Sequence, residues 1–223
     1  MSLVERDWRE FALLLIDVQV DFWPDKLAES FPDFPANVDR LLALCRREGL
    51  EVIHLRASFN PDTSDWMARY KLRERIPCIQ GTPGAETLPF AQEQPGEKVI
   101  LKQSFDGFHN PELLSYLGGR RKRFVLTAGL VTSVCVLLTT ASAAQRGFLT
   151  AVVEDCCADQ PDAHEQTLER YQFIFDRTTV DRIPEHHSDW VGALQELDRL
   201  DSAEPSAAAT LRLRRQATER KTN

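Results

Sequence analysis

Residues 123–155 read RFVLTAGLVTSVCVLLTTASAAQRGFLTAVVED, and their reading decides the fold. Arg123-Phe-Val-Leu-Thr-Ala-Gly129 is an apolar run that ends on a glycine, a strand followed by a turn. From about Thr132 to Arg146 the chain is Ala-rich and helical, and Gly147 ends it. Phe148-Leu-Thr-Ala-Val-Val-Glu154 is a second apolar run, closing on Asp155. Two continuous apolar strands joined by a helix make a βαβ crossover. Strands this apolar belong to a parallel sheet covered on both faces.

The alternation extends both ways from this centre. Upstream, Phe11-Ala-Leu-Leu-Leu-Ile16 reads as a strand ending in Asp17. Past Pro24, Pro32 and Pro35, residues Val38, Leu41, Leu42 and Cys45 recur at helical spacing until Gly49. Leu50-Glu-Val-Ile-His-Leu55 and Lys98-Val-Ile-Leu-Lys102 are further strands, separated by a long proline-rich segment. Asn110 with Pro111 forms a cap and first turn for a helix carrying Leu113, Leu114 and Leu117. Downstream, a helix from His164 to Tyr171 precedes the apolar run Phe173-Ile-Phe175. The expected architecture is α/β: a three-layer, doubly wound, mostly parallel, Rossmann-like sheet. One domain is expected over residues 1–201. Residues 202–223 carry Glu204 and Glu219 against four arginines and Lys221, and read as a basic, flexible tail.

Composition narrows the functional classes. The 223 residues carry a net charge of -7, with 43% hydrophobic and 27% charged residues. An acidic chain without clustered Lys and Arg is a poor match for nucleic acid or for an anionic membrane. No apolar run approaches the ~18 residues of a membrane span. The polar first ten residues are not expected to be a secretory signal. Five irregularly spaced cysteines (Cys45, Cys78, Cys135, Cys156 and Cys157) frame no zinc site and read as free thiols in a reducing cytoplasm. The vicinal Cys156-Cys157 pair leaves a redox protein as an alternative.

In open parallel sheets, ligands collect beyond the carboxyl ends of the strands. Asp17, Lys102 and Asp155 lie at such ends, and Cys135 lies in the first turns of the helix that follows Thr127-Ala-Gly-Leu. A helix start lowers a thiol pKa, so Cys135 is expected to be activated, with Lys102 favouring its thiolate and Asp17 taking its proton. Each residue also has a plain structural reading: a capping carboxylate, a solvated amine, a buried thiol. Neither a phosphate-binding glycine loop nor a GxSxG elbow occurs.

Leu15-Ile-Asp17-Val-Gln-Val-Asp-Phe22, the strand-closing Lys102, and Gly129-Leu-Val-Thr-Ser-Val-Cys135-Val with Thr139-Thr-Ala-Ser-Ala-Ala occur in that order. Together they resemble the isochorismatase-like cysteine hydrolases, over about residues 11–183. The resemblance implies that fold and an Asp17–Lys102–Cys135 triad acting through a thioester on a small carboxamide or ureido-type amide. It further implies a cis peptide at Leu130–Val131, with the N–H groups of Val131 and Cys135 as the oxyanion hole. Two alternatives remain: an isochorismatase-type vinyl-ether hydrolase, whose chemistry needs no thiol, and a non-catalytic binding protein on the same fold.

Metal-binding nicotinamidases of this family carry an Asp-x-His pattern after the second strand. Here that region reads His54-Leu-Arg-Ala-Ser-Phe-Asn60, so no metal and no other cofactor is expected. His54 reads as a structural strand histidine, and His186-His187 as surface residues. Phe22, Trp66 and Phe105 are the expected substrate-binding residues, with Trp23 and Phe108 as further candidates for the pocket wall. The expected partner is a small amide, and a homo-oligomer is expected because sheet edges and helix faces in such folds pair between subunits.

Overall fold

Every residue of β1 (Phe11–Ile16) is buried, as a strand covered on both faces requires. The computed structural model describes residues 6–202. After β1 come the short helix α1 (Asp25–Ser30) and α2 (Phe34–Glu48). Helix α2 stops where Gly49 turns left-handed at φ 72° and donates its N–H to the Cys45 carbonyl. β2 (Glu51–Ala57), α3 (Ala68–Arg73) and β3 (Lys98–Lys102) follow. Asn110 then caps α4 (Pro111–Gly119) by accepting the Glu112 N–H. β4 (Phe124–Leu130) leads through one π turn, Thr132–Val136, into α5 (Leu137–Gln145). β5 (Leu149–Ala158), α6 (Pro161–Arg170), β6 (Asp176–Thr178) and α7 (Ile183–Ser202) complete the order.

Among the described residues the strands form one six-stranded sheet in the order β3-β2-β1-β4-β5-β6. Every pairing is parallel. The order reverses between β1 and β4, which opens the crevice where doubly wound folds bind ligands. Successive residues of β1 point to opposite faces. Ala12, Leu14 and Ile16 join Leu55, Val125 and Val152 in a buried cluster with Leu113 and Leu117 of α4, Ala143 of α5 and Leu168 of α6. Helix α2, whose buried Val38, Leu41 and Leu42 lie outside that cluster, packs on β2 and β5 from the other face. These are the expected three layers.

Several details differ from the sequence expectation. β5 continues to Ala158, so Asp155 lies within a strand and does not end one; its carboxylate accepts the Val180 N–H at 3.1 Å. All five cysteines are free and buried. Cys157 belongs to the cluster beneath α4–α6, whereas Cys156 lies near Cys45 of α2. The vicinal thiols thus project to opposite faces. The strand after α6 is Asp176–Thr178, one step beyond the apolar run. The chain divides into two compact units, Met1–Pro184 and Glu185–Asn223. Within the second, His186 stacks on Trp190 at 5.3 Å. The basic tail lies, apart from Ser202, outside the described residues. Among the described residues no helix is long and apolar enough to cross a membrane.

Candidate active site

Asp17 follows the last residue of β1 with φ 52°, a left-handed conformation that Asp tolerates better than most residues. The turn is held by its own N–H on the Leu55 carbonyl at 2.8 Å. Its Oδ1 accepts the Ala57 N–H at 2.9 Å. Gln19 reinforces this corner: its Oε1 accepts the same N–H at 2.9 Å, and its Nε2 donates to the carbonyls of Ala57 and Ala85 at 2.9 and 2.8 Å.

Lys102 comes from β3, two strands away from β1 and so roughly 10 Å across the sheet. Its register partner on the intervening strand is Ala57, whose methyl group leaves the path open for the long side chain. The ammonium donates to Asp17 Oδ2 at 2.7 Å and to the Ser104 carbonyl at 2.8 Å. Both side chains are buried, at 1% and 0% exposure.

Cys135 arrives from the far side of the crevice. Gly129, with φ 126°, runs so close to β1 that a Cβ there would lie 2.0 Å from the Ile16 carbonyl oxygen. The Leu130–Val131 peptide that follows is cis. The π turn is then tied down at two points. Ser133 donates its N–H and its hydroxyl to Asp159 Oδ2 at 2.8 and 2.5 Å. Thr132 Oγ1 pairs with His164 Nδ1 at 2.8 Å.

The three groups act on one another's protons. Burial pushes the Cys135 thiol well up, and the Asp17 carboxylate adds to this, while Lys102 opposes it. Burial also raises the Asp17 carboxyl, against the pull of Lys102. Burial disfavours the charge of Lys102, but Asp17 and Cys135 hold its ammonium above the ordinary lysine value. A buried cluster favours zero net charge, which means carboxylate, ammonium and neutral thiol. Burial, at 5% exposure of Cys135, thus opposes the expected activation of the thiol by the helix start. Moving the thiol proton to Asp17 keeps the cluster neutral, so ionisation is available within the site and not from solvent.

Asp17, Lys102 and Cys135 line one cavity of about 240 Å³, walled mainly by Phe22, Phe59, Met67, Phe105, Val131 and Val134. Phe22 and Phe105 were expected there. Trp66 is not a wall: it packs against the cluster of Ala57, Phe59, Ile76 and Cys78, with its indole N–H on the Asn60 carbonyl at 2.7 Å. Trp23 stacks on Phe34 at 4.6 Å, and Phe108 is in the core. Phe59, Met67 and Tyr70 are walls that sequence reasoning missed, because the irregular path of residues 58–97 leaves no periodicity to follow. The other thiols lie outside this cavity, and burial raises each of them, Cys45 to about 12. His54 bonds Glu97 at 2.9 Å. Among the described residues no group of three or more His, Cys, Asp or Glu side chains is placed to hold a metal ion.

The chain is similar to several known proteins. A ureidoacrylate amidohydrolase from Variovorax paradoxus is 27% identical over 137 residues, 54% of this chain and 54% of its own. A protein from Arabidopsis thaliana named as a probable inactive nicotinamidase is 27% identical over 172 residues, 72% of this chain and 87% of its own. The crystal structure of an isochorismatase family protein from Desulfovibrio vulgaris superposes with a TM-score of 0.72 at 28% identity, covering 79% of this chain and 97% of that one. The isochorismatase domain matches residues 11–180, from the first residue of β1 to just beyond β6 and across all three clustered side chains, and the chain belongs to the isochorismatase family of hydrolases.

Proposed function

We propose that the protein is a cysteine hydrolase that cleaves the C–N bond of a small carboxamide or ureido-type substrate through a thioester on Cys135. The observation that carries this reading is the contact, inside one small cavity, of a thiol, a buried carboxylate and a buried ammonium. The amide-cleaving relative supports it.

In the first half-reaction Cys135 Sγ attacks the amide carbonyl carbon as the thiol proton passes to Asp17. A carboxyl raised by burial is a stronger base than one in water. Lys102 stays charged throughout and offsets the negative charge as it moves from Asp17 to sulfur and on to the carbonyl oxygen. The N–H groups of Val131 and Cys135 receive that oxygen. When the tetrahedral intermediate collapses, the C–N bond breaks and Asp17 returns the proton to nitrogen. Ammonia or an amine leaves, and a thioester remains. Water then attacks the thioester carbon and gives its proton to Asp17. The C–S bond breaks, the acid is released, and sulfur recovers the proton.

Ammonia release from a panel of small amides tests this reading. The wild-type protein turns over at least one of them, and Cys135→Ala removes that turnover. Asp17→Asn lowers kcat by about 10²–10⁴. Activity that survives Cys135→Ala contradicts the proposal. Since one relative is named as inactive, a protein that releases no ammonia but binds amides would be a binding protein on the same fold.

A further inference from the structure

Among the described residues, the cavity holding Cys135 has no charged lining side chain besides Asp17 and Lys102, which neutralise each other at 2.7 Å. The Lys102 ammonium also meets the Ser104 carbonyl at 2.8 Å, so its donors face groups of the protein itself. The walls away from this pair are aromatic and aliphatic. Tyr70 meets Phe105 edge-on at 6.1 Å and Phe59 at 6.5 Å, and its hydroxyl and that of Ser104 are the polar exceptions. The volume, about 240 Å³, is below the roughly 300 Å³ at which sites for drug-sized ligands begin.

Taking the amidohydrolase reading as its basis, we infer that the site selects small amides with an uncharged, apolar acyl group and rejects ureido acids and amides that carry a carboxylate. An anion moved from water into such walls loses its hydration and meets no free cation. An apolar acyl group gains from leaving water and loses nothing in exchange. Arg73 and Arg75 line a separate chamber of about 550 Å³ that shares Phe22, Tyr70 and Pro77 with the cavity. Both residues are exposed, and neither lines the cavity that holds Cys135.

The test compares 4-methylpentanamide with succinamate, in which a carboxylate replaces the isopropyl group at nearly constant shape. The expected kcat/KM ratio favours 4-methylpentanamide by about 100-fold or more. Calorimetric binding of the same two compounds to Cys135→Ala reads the selection without any chemistry, and the same preference is expected. Succinamate turned over or bound as well as its isostere overturns the inference and leaves amide hydrolysis standing. Binding of neither compound also overturns it. Selective binding of 4-methylpentanamide without ammonia release by the wild-type protein upholds the selectivity and removes the amidohydrolase reading.

Discussion

The ionisation of Cys135 depends on two neighbours that pull in opposite directions. Asp17 raises the thiol pKa and Lys102 lowers it, while burial raises it more than either. Asp17→Asn removes one raising influence, so the thiol is expected to become more acidic and to pair with Lys102. Lys102→Met removes the lowering influence and drives the thiol higher still. It also leaves a buried carboxylate without its cation, a change that typically costs ~3–5 kcal/mol of stability. Iodoacetamide labelling as a function of pH, read at the Cys135 peptide by mass spectrometry, should therefore show the labelling midpoint falling in Asp17→Asn and rising in Lys102→Met, although both variants lose hydrolysis. Midpoints that move together would mean that the three groups do not share protons. The sequence supplied the identities of these residues but not this behaviour. A helix start next to a cysteine argues for a thiolate, whereas the burial of Cys135 pulls its pKa the other way.

At the scale of elements, the site depends on how closely β4 passes β1 at the reversal of strand order. Gly129 is left-handed and lies against the Ile16 backbone, so a methyl group there has to push two central strands apart. Gly129→Ala is expected to destabilise the fold by at least ~2 kcal/mol and to reduce activity together with stability, as urea unfolding and ammonia release would show. Another junction gives a pH dependence. Glu97, at the start of β3, accepts hydrogen bonds from Arg46 of α2 and His54 of β2. Burial opposes its charge, but these bonds and the Gln94 N–H hold its carboxyl down at about 2. Burial holds His54 below its ordinary value, against the pull of Glu97. Both folded-state values are depressed, so the unfolded chain takes up more protons as the solution is acidified. Stability is full above the ordinary histidine range and is lost as pH falls, first through His54 and then through Glu97. The urea midpoint should drop from about pH 6 to about pH 3, and Glu97→Gln should flatten the part below the ordinary carboxylate range. An unchanged slope in that variant would assign the acid sensitivity elsewhere.

Across the whole molecule, regular periodicity marks what could be read in advance. β1 and β3 fall on the expected residues, and the crossover rule places Asp17, Lys102 and Cys135 at the same sheet edge before any coordinates are seen. The extension of β5 past Asp155 was not legible, because polar Glu154 and Asp155 look like an ending: they fall in the irregular stretch between Val152 and Cys157, after which pairing with β4 resumes in a shifted register. The walls contributed by Phe59, Met67 and Tyr70 were equally hidden, since residues 58–97 are held by turns, isolated bridges and the short helix α3, too brief to show a repeating pattern. The proposed chemistry thus rests on strand ends, and the proposed selectivity largely on the irregular segment that covers them. The central claim is that Cys135 carries the acyl group. Acid-quenched protein, mixed for milliseconds to seconds with an activated ester of a small apolar acid and digested for mass spectrometry, should show the acyl mass on the Cys135 peptide in the wild-type protein and not in Cys135→Ala. Acylation at another residue, or turnover with no acyl-enzyme and full activity in Cys135→Ala, would contradict it.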